Sequence, residues 1–367
     1  MYHPSMGSTD DLRRGRRAGT RGPARVGAVN LRDVAAHAGV SPATASRVFG
    51  GSEKVHDDTR AKVLASAHEL GYVVNGLARA MQGRGPRTMA FVVRAMIGPT
   101  FAALAAGAER VASENNHLLF MSTTHGSADR EADVIATLRE QRVGAVLLVG
   151  SSESDQEFDE RVASYAKDLG DVDAPLILCG RPPVTGHPEL ISVDYDQPAG
   201  VGMAIDELVK LGHTRIAYVG EPRGMTTAEL RLDGYFAGLT RNGIAANPEL
   251  VWTAANSEDD SAHTVRELLA AGTDVTAIVA MTDNIAVGIY RAAREAGLRI
   301  PEDLSVIGFD DAPIVGDLTP GLTTVHPPFY EVGVCAAEIA LGLVPARNVL
   351  LQPSFVRRGS TAPPAAR

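Results

Sequence analysis

The chain has 367 residues with 35 Lys and Arg against 44 Asp and Glu, a formal net charge of −9, and two cysteines. That length exceeds one ordinary domain, two cysteines exclude a disulfide or Cys-rich zinc framework, and no apolar run reaches the length of a membrane span. The charge is unevenly divided: residues 1–87 carry 14 basic against 7 acidic side chains and the remainder 21 against 37, so a basic end is joined to an acidic body.

Residues 1–29 hold six arginines between Arg13 and Arg25 and read as a disordered tail, with Met6 or a later codon an alternative start. They contain no apolar h-region of a secretion signal. The first helix is announced by Leu31, Val34, Ala35 and Ala38, the i, i+3, i+4, i+7 stripe of one buried face. Asn30 stands where a cap belongs and Gly39 where the chain must turn. Ser41-Pro42 opens the second helix with a hydroxyl cap and a proline that forfeits no hydrogen bond. Its stripe buries Ala45, Val48 and Phe49, leaving Pro42, Ala43, Ser46 and Arg47 pointing away. Two short helices joined by a glycine turn form a helix-turn-helix, whose second helix is built to enter the major groove of DNA. Any helical hairpin shares that outline; the basic balance of this end is what favours phosphate contact.

From Thr88 the pattern changes to short apolar runs: MAFVV (89–93), HLLFMS (117–122), GAVLLVG (144–150), PLILCG (175–180), RIAYVG (215–220), TAIVAMT (276–282) and LSVIGFD (304–310). Separated by amphipathic stretches, they predict parallel strands buried on both faces. So many units exceed one sheet and predict two lobes, with ligands expected beyond the carboxyl ends of the strands. Cys179 and Cys335 lie in apolar settings, which suits a reducing, cytoplasmic protein. No Walker loop, HExxH or GxSxG motif is present, and no histidines have ligand spacing, so no catalysis, cofactor or metal is expected.

These residues resemble the LacI/GalR family of bacterial transcriptional regulators. The resemblance rests on VAAHAGVSPATASRV, on TRAKVLASAHELGYVVNGLARAM, and on most of the chain to about Thr361. It implies a helix-turn-helix domain over 30–74, a hinge helix and linker over 75–87, and a two-lobed α/β periplasmic-binding-protein-like core with parallel sheets over 88–361. The expected crossovers between lobes fall near Ile191, Val325 and Val349, giving one lobe of 88–190 and 326–348 and another of 191–325 and 349–361. By position, Pro42 and Ala43 would meet bases, Arg47 would contact a base or a phosphate, and Thr44 and Ser46 would hold phosphates. Within the hinge, Asn75 opens the helix, Ala78 allows close helix contact, Arg79 reaches phosphate and Met81 takes the place of a leucine wedge in the minor groove. The family caps its third helix with serine; here His56 and Asp57 stand there, and aspartate is expected to cap instead.

The resemblance also implies effector contacts at Arg231, Asp283 and Asp310, where a guanidinium and carboxylates suit a polyhydroxylated ligand. Each has a plainer reading: an ion pair for Arg231, a helix start for Asp283, an ordered loop for Asp310. Phe101 is placed to stack on a sugar ring, and Ser122, Ser151 and Arg181 lie at strand ends of the other lobe. The threonine in AMTD, where some sugar-responsive relatives carry asparagine, leaves the particular sugar open. The expected protein is a homodimeric repressor of pseudo-palindromic operator DNA, controlled by a small molecule, without membrane contact or a C-terminal tetramerisation helix. A regulator co-repressed by a purine or a partner protein, and a sugar-binding protein with a vestigial headpiece, remain alternatives; an enzyme on the same fold is a further one.

Overall fold

Asn30 decides where the first helix begins. Its side chain accepts from the N–H groups of Arg32 and Asp33, and the Asp33 carboxylate accepts from the Asn30 N–H at 2.8 Å, a closed capping box at the head of α1 (Leu31–His37). At the other end Gly39 adopts φ 69, a left-handed turn that side chains resist, and the Val40 N–H returns to the Ala35 carbonyl at 2.9 Å. Then follow α2 (Pro42–Phe49) and α3 (Asp57–Glu69). The three close around Val34, Ala35, Ala45, Val48 and Val63, with the Phe49 and Tyr72 rings 5.5 Å apart at the margin.

One expectation fails at α3. His56 occupies the cap position without a cap hydrogen bond, and Asp57 is already the first helical residue. A residue with helical dihedrals cannot fold its carboxylate over the free N–H groups as a cap does. Asp57 and Asp58 instead place negative charge in the first turn, which favours the helix dipole.

The computed structural model describes residues 29–50, 54–72, 87–95, 99–153 and 155–365, and the chain divides into two compact units, Met1–Gly85 and Pro86–Arg367. The larger unit holds two six-stranded sheets. The first runs in the order β11-β5-β4-β3-β1-β2 and is parallel throughout. Its strands are β1 (Arg87–Val93), β2 (His117–Thr123), β3 (Ala145–Val149), β4 (Leu176–Cys179), β5 (Ile191–Tyr195) and β11 (Val349–Leu351). Between them lie α4 (Pro99–Glu114), α5 (Ala128–Glu140) and α6 (Gln156–Gly170).

The second sheet runs β12-β10-β9-β8-β6-β7, with β12 alone antiparallel to its neighbour. It comprises β6 (Ile216–Gly220), β7 (Val251–Thr253), β8 (Ala277–Ala280), β9 (Ser305–Phe309), β10 (Thr323–His326) and β12 (Ser354–Val356). Its helices are α7 (Gln197–Lys210), α8 (Thr226–Arg241), α9 (Glu258–Ala270) and α10 (Asp283–Glu295), while α11 (Phe329–Ala340) packs back on α4. That packing is close. A Cβ on Gly333 would lie 2.0 Å from the Leu104 carbonyl oxygen, and one on Gly107 2.1 Å from that of Tyr330.

The chain therefore changes sheets three times, each later than the sequence suggests. The first crossing follows Tyr195, not Ile191, because Ile191, Ser192 and Val193 complete the ladder with β4. The second follows His326, and the third lies between Leu351 and Ser354, since Val349–Leu351 still pairs with β5. A strand in a parallel sheet must finish its hydrogen bonds before the chain can leave. The double burial expected of every strand fails at β2: it is an edge strand, and Leu118, Phe120 and Met121 are 54%, 51% and 41% exposed.

Candidate functional site

On the smaller unit, α2 has one buried side and one open side. The Ser41 hydroxyl accepts from the Thr44 N–H at 3.1 Å and shares a hydrogen bond with the Thr44 hydroxyl at 2.8 Å. Ala45 and Val48 are buried; Pro42, Ala43 and Arg47 are exposed; Thr44 and Ser46 are half-buried beside them. The open face thus offers two apolar contacts at its N-terminal end and one guanidinium a turn later, the arrangement that direct readout of base edges uses. Asn75, Ala78, Arg79 and Met81 lie outside the described residues.

In the larger unit the side chains converge where the chain crosses between sheets. Arg231, on α8, is 3% exposed. Its Nη2 donates to the Tyr195 hydroxyl and to Asp310 Oδ1, each at 3.0 Å, and its Nε to Gln197 Oε1 at 3.3 Å. Nη1 donates to the Met281 carbonyl, and the guanidinium stacks 3.7 Å from the centre of the Phe309 ring. Tyr195 ends β5 of the first sheet, whereas Met281 and Asp310 follow strands of the second, so one cation joins both lobes. Burial pushes the Asp310 carboxyl up, and the Arg231 charge pulls it back.

Asp310 and Asp311 follow β9 in left-handed conformation, with φ 114 and 52. For residues other than glycine this costs about 1–3 kcal/mol each. They border a cavity of about 300 Å³ whose other walls include Thr100 and Ala103 of α4 and Pro327 and Phe329 at the second crossing. That volume is at the lower end of the ~300–1,000 Å³ range of small-molecule pockets. Carboxylates and an aromatic wall, with the Arg231 guanidinium held behind Asp310, can recognise hydroxyls on a compact ring.

Asp283 does not face this cavity. It is 2% exposed, and both carboxylate oxygens are engaged: Oδ2 by the Ala312 N–H and Oδ1 by the Thr324 hydroxyl, each at 2.7 Å. Burial first, and the nearby Asp310 charge second, push its carboxyl up to about 7. The helix cap is Thr282, whose hydroxyl accepts from the Ile285 N–H at 3.3 Å and donates to Asn256 at 2.7 Å.

Across the cleft, at the carboxyl ends of the first sheet, Arg181 is buried over the Phe158 ring at 5.1 Å, donating through Nε to the Gly150 carbonyl and through Nη2 to that of Val149. Burial lowers its pKa to about 10. Glu131 lies 3.7 Å from Arg161 beside it, and the space left there, about 20 Å³, is that of a single water. Ser151 and Ser152 reach the other lobe. The Thr226 N–H donates to the Ser152 carbonyl at 2.9 Å, the Ser152 N–H to the Thr226 hydroxyl at 3.2 Å, and the Thr227 N–H to the Ser151 hydroxyl at 3.1 Å. Met225, at the cap position of α8, supplies no side-chain cap. The helix is capped from the opposite lobe.

The structure thus brings Arg231 and Asp310 together, pairs Ser151 with Thr226, and buries Arg181 among carbonyls. Phe101 packs over Gly150, where an added Cβ would come within 3.2 Å of its ring, and Ser122 lies half-buried on β2 away from both cavities. Sequence reasoning missed Tyr195, Gln197 and Phe309. The alternation in ISVDY marks a strand end, yet nothing local says that Arg231 meets it. Among the described residues no group of three His, Cys, Asp or Glu could hold a metal ion, and no helix is long and apolar enough to cross a membrane.

A family model described as bacterial regulatory proteins, lacI family, matches residues 30–75, and one described as a periplasmic binding protein-like domain matches residues 205–361. The chain is 32% identical to the HTH-type transcriptional regulator GalR of Escherichia coli (strain K12) over 340 residues, covering 91% of this chain and 96% of the relative. It is 31% identical to the ribose operon repressor of the same organism over 335 residues, covering 90% and 99%. Among solved structures, the lac repressor dimer bound to operator and the anti-inducer ONPF superposes with a TM-score of 0.80 at 27% identity, covering 91% of this chain and 99% of that one.

Proposed function

Because the chain belongs to the LacI family of bacterial regulatory proteins, we propose that it is a sequence-specific DNA-binding transcriptional repressor whose operator affinity is set by a small sugar bound between the two core lobes. The observation that carries this reading is the Arg231 guanidinium. It bonds Tyr195 of one lobe and Asp310 of the other beside a cavity of ligand size. A sugar hydroxyl that takes either bond changes how the lobes are held. To shift operator binding, the ligand must favour one core state, with a coupling typically of about 1–3 kcal/mol.

In this reading Pro42, Ala43 and Arg47 read bases and Thr44 and Ser46 approach phosphate, with Asn75, Ala78, Arg79 and Met81 forming the hinge contacts. Arg231 and Asp310 contact the effector, Phe101, Ser151 and Arg181 line the opposing lobe, and Asp283 supports the Asp310 corner from behind. The protein acts as a homodimer. The lac repressor is a dimer in the neighbouring structure, and the edge strand β2 here exposes Leu118, Phe120 and Met121, a surface that a second copy would cover.

The test is selection of operator from random DNA by the full chain, followed by titration with D-galactose, D-ribose and cellobiose. A selected palindrome released by a sugar is the expected result. Failure to enrich any palindrome would remove the DNA-binding reading, and tightening by ligand would reverse the sign of control.

A further inference from the structure

The corner after β9 is held from a part of the chain that the effector reading leaves unused. Asp311 Oδ1 accepts from Arg358 Nη2 at 2.7 Å, and Asp311 Oδ2 meets His326 Nδ1 at 3.0 Å. Arg358 lies just beyond β12, on the strap that ends the chain. The strap is itself fixed: the Arg358 N–H donates to the Thr323 hydroxyl at 3.0 Å, its Nη1 to the Leu322 carbonyl at 2.9 Å, and Ser360 bonds the Val306 carbonyl at 2.6 Å. On the opposite side of the corner the Ala312 N–H is bound to Asp283. Two successive left-handed aspartates persist only if their surroundings over-determine them. Here the determinants include the Arg231 pair on Asp310, the Asp310 N–H bond to the Val325 carbonyl at 2.9 Å, one bond from α10 to Ala312, and the charge-assisted pair that the strap makes with Asp311.

We propose that Arg358 is a positioning residue of the effector site: by fixing Asp311 it holds the Asp310 carboxylate at Arg231, and through the Asp311–His326 bond it ties that corner to the second crossing between lobes. This rests on the effector reading of Asp310. His326 is the last residue of β10, and Pro327, which follows it, lines the cavity. A shift of the corner is therefore passed to the connection between lobes through the Asp311 carboxylate, beside the backbone bond from the Asp310 N–H to Val325. Arg358 itself lines neither cavity and reaches the site through Asp311.

The test is amide hydrogen exchange on the full-length protein. Arg358→Gln should raise exchange at Asp310 and Ala312 about tenfold or more, the loss of a hydrogen bond to a charged group, while amides of β6 and β8 stay unchanged. Arg358→Lys, which keeps the charge, should restore most of the protection. Asp311→Asn should reproduce the effect, and the double variant should lose no more than either single one. A general structural role would instead raise exchange across the whole lobe and lower Tm, with additive losses. Unchanged exchange at 310 and 312, or additivity in the double variant, overturns the proposal. If Arg358→Gln does not fold, Asp311→Asn and Arg358→Lys decide the matter. Operator release by D-ribose or D-galactose, measured in parallel, should weaken in the Arg358→Gln variant with operator affinity kept. If the wild type binds no operator or answers no sugar, the regulatory reading fails, and the exchange data still judge the positioning role.

Discussion

Arg47 is exposed on the open face of α2, so truncating it removes a charged contact and little packing. Arg47→Ala should weaken operator binding by about 1–3 kcal/mol, the worth of a good bidentate base contact, and leave sugar affinity intact; gel-shift titration beside calorimetry checks both. Asp283 is a different kind of residue. Its carboxyl titrates near 7 because it is buried, whereas in the unfolded chain it titrates near 3.9. The folded state holds the extra proton between those values, so this contribution to stability is full below about pH 4 and lost as pH rises through about 7. Asp283→Asn should therefore gain stability relative to wild type at pH 8 over pH 5, read by thermal unfolding at both. A difference of the opposite sign would mean that the Ala312 and Thr324 bonds hold the group ionised. The exposure of Pro42, Ala43 and Arg47 was legible from helical periodicity. The fate of Asp283 was not, because its partners stand 29 and 41 residues away.

At the scale of elements, the start of α8 depends on the other lobe. Thr226 and Thr227 find their acceptors on Ser152 and Ser151, as a local cap would provide elsewhere. Ser151→Ala combined with Thr226→Ala should cost about 0.5–2 kcal/mol of stability, the usual worth of a cap. It should also speed exchange at the Thr227 and Ser152 amides, whose acceptors it removes, ahead of the rest of the helix. Equal protection in variant and wild type would show that the lobes do not close on this contact in solution. Seven strands, β1 to β4, β6, β8 and β9, were legible as apolar runs, and all of these but the edge strand β2 are buried in their sheets. β5, β7, β10, β11 and β12 were not: β7, β11 and β12 span only three residues, polar residues interrupt ISVDY and TTVH, and their pairing depends on neighbours far along the chain.

At the scale of the whole molecule, the proposed homodimer rests on the edge strand β2. Phe120 stands 51% exposed on the edge strand β2, where a monomer would bury or charge such a side chain. Phe120→Glu should shift the sedimentation profile from dimer to monomer and weaken operator binding with it, since two linked headpieces gain from effective concentration. Retention of a dimer would move the interface elsewhere.

The sequence by itself determined the two-part plan, the helix-turn-helix with its capped helices, and the α/β character of the core, since these follow from local caps, turns and apolar spacing. Tertiary structure alone decided where the chain changes sheets, which strand is an edge, and which charged groups meet. Arg231 gathers Tyr195, Gln197, Met281 and Asp310 from 34 to 79 positions away. A guanidinium's partners are set by which strand ends the folded sheets bring within 3 Å, and no local pattern encodes that distance.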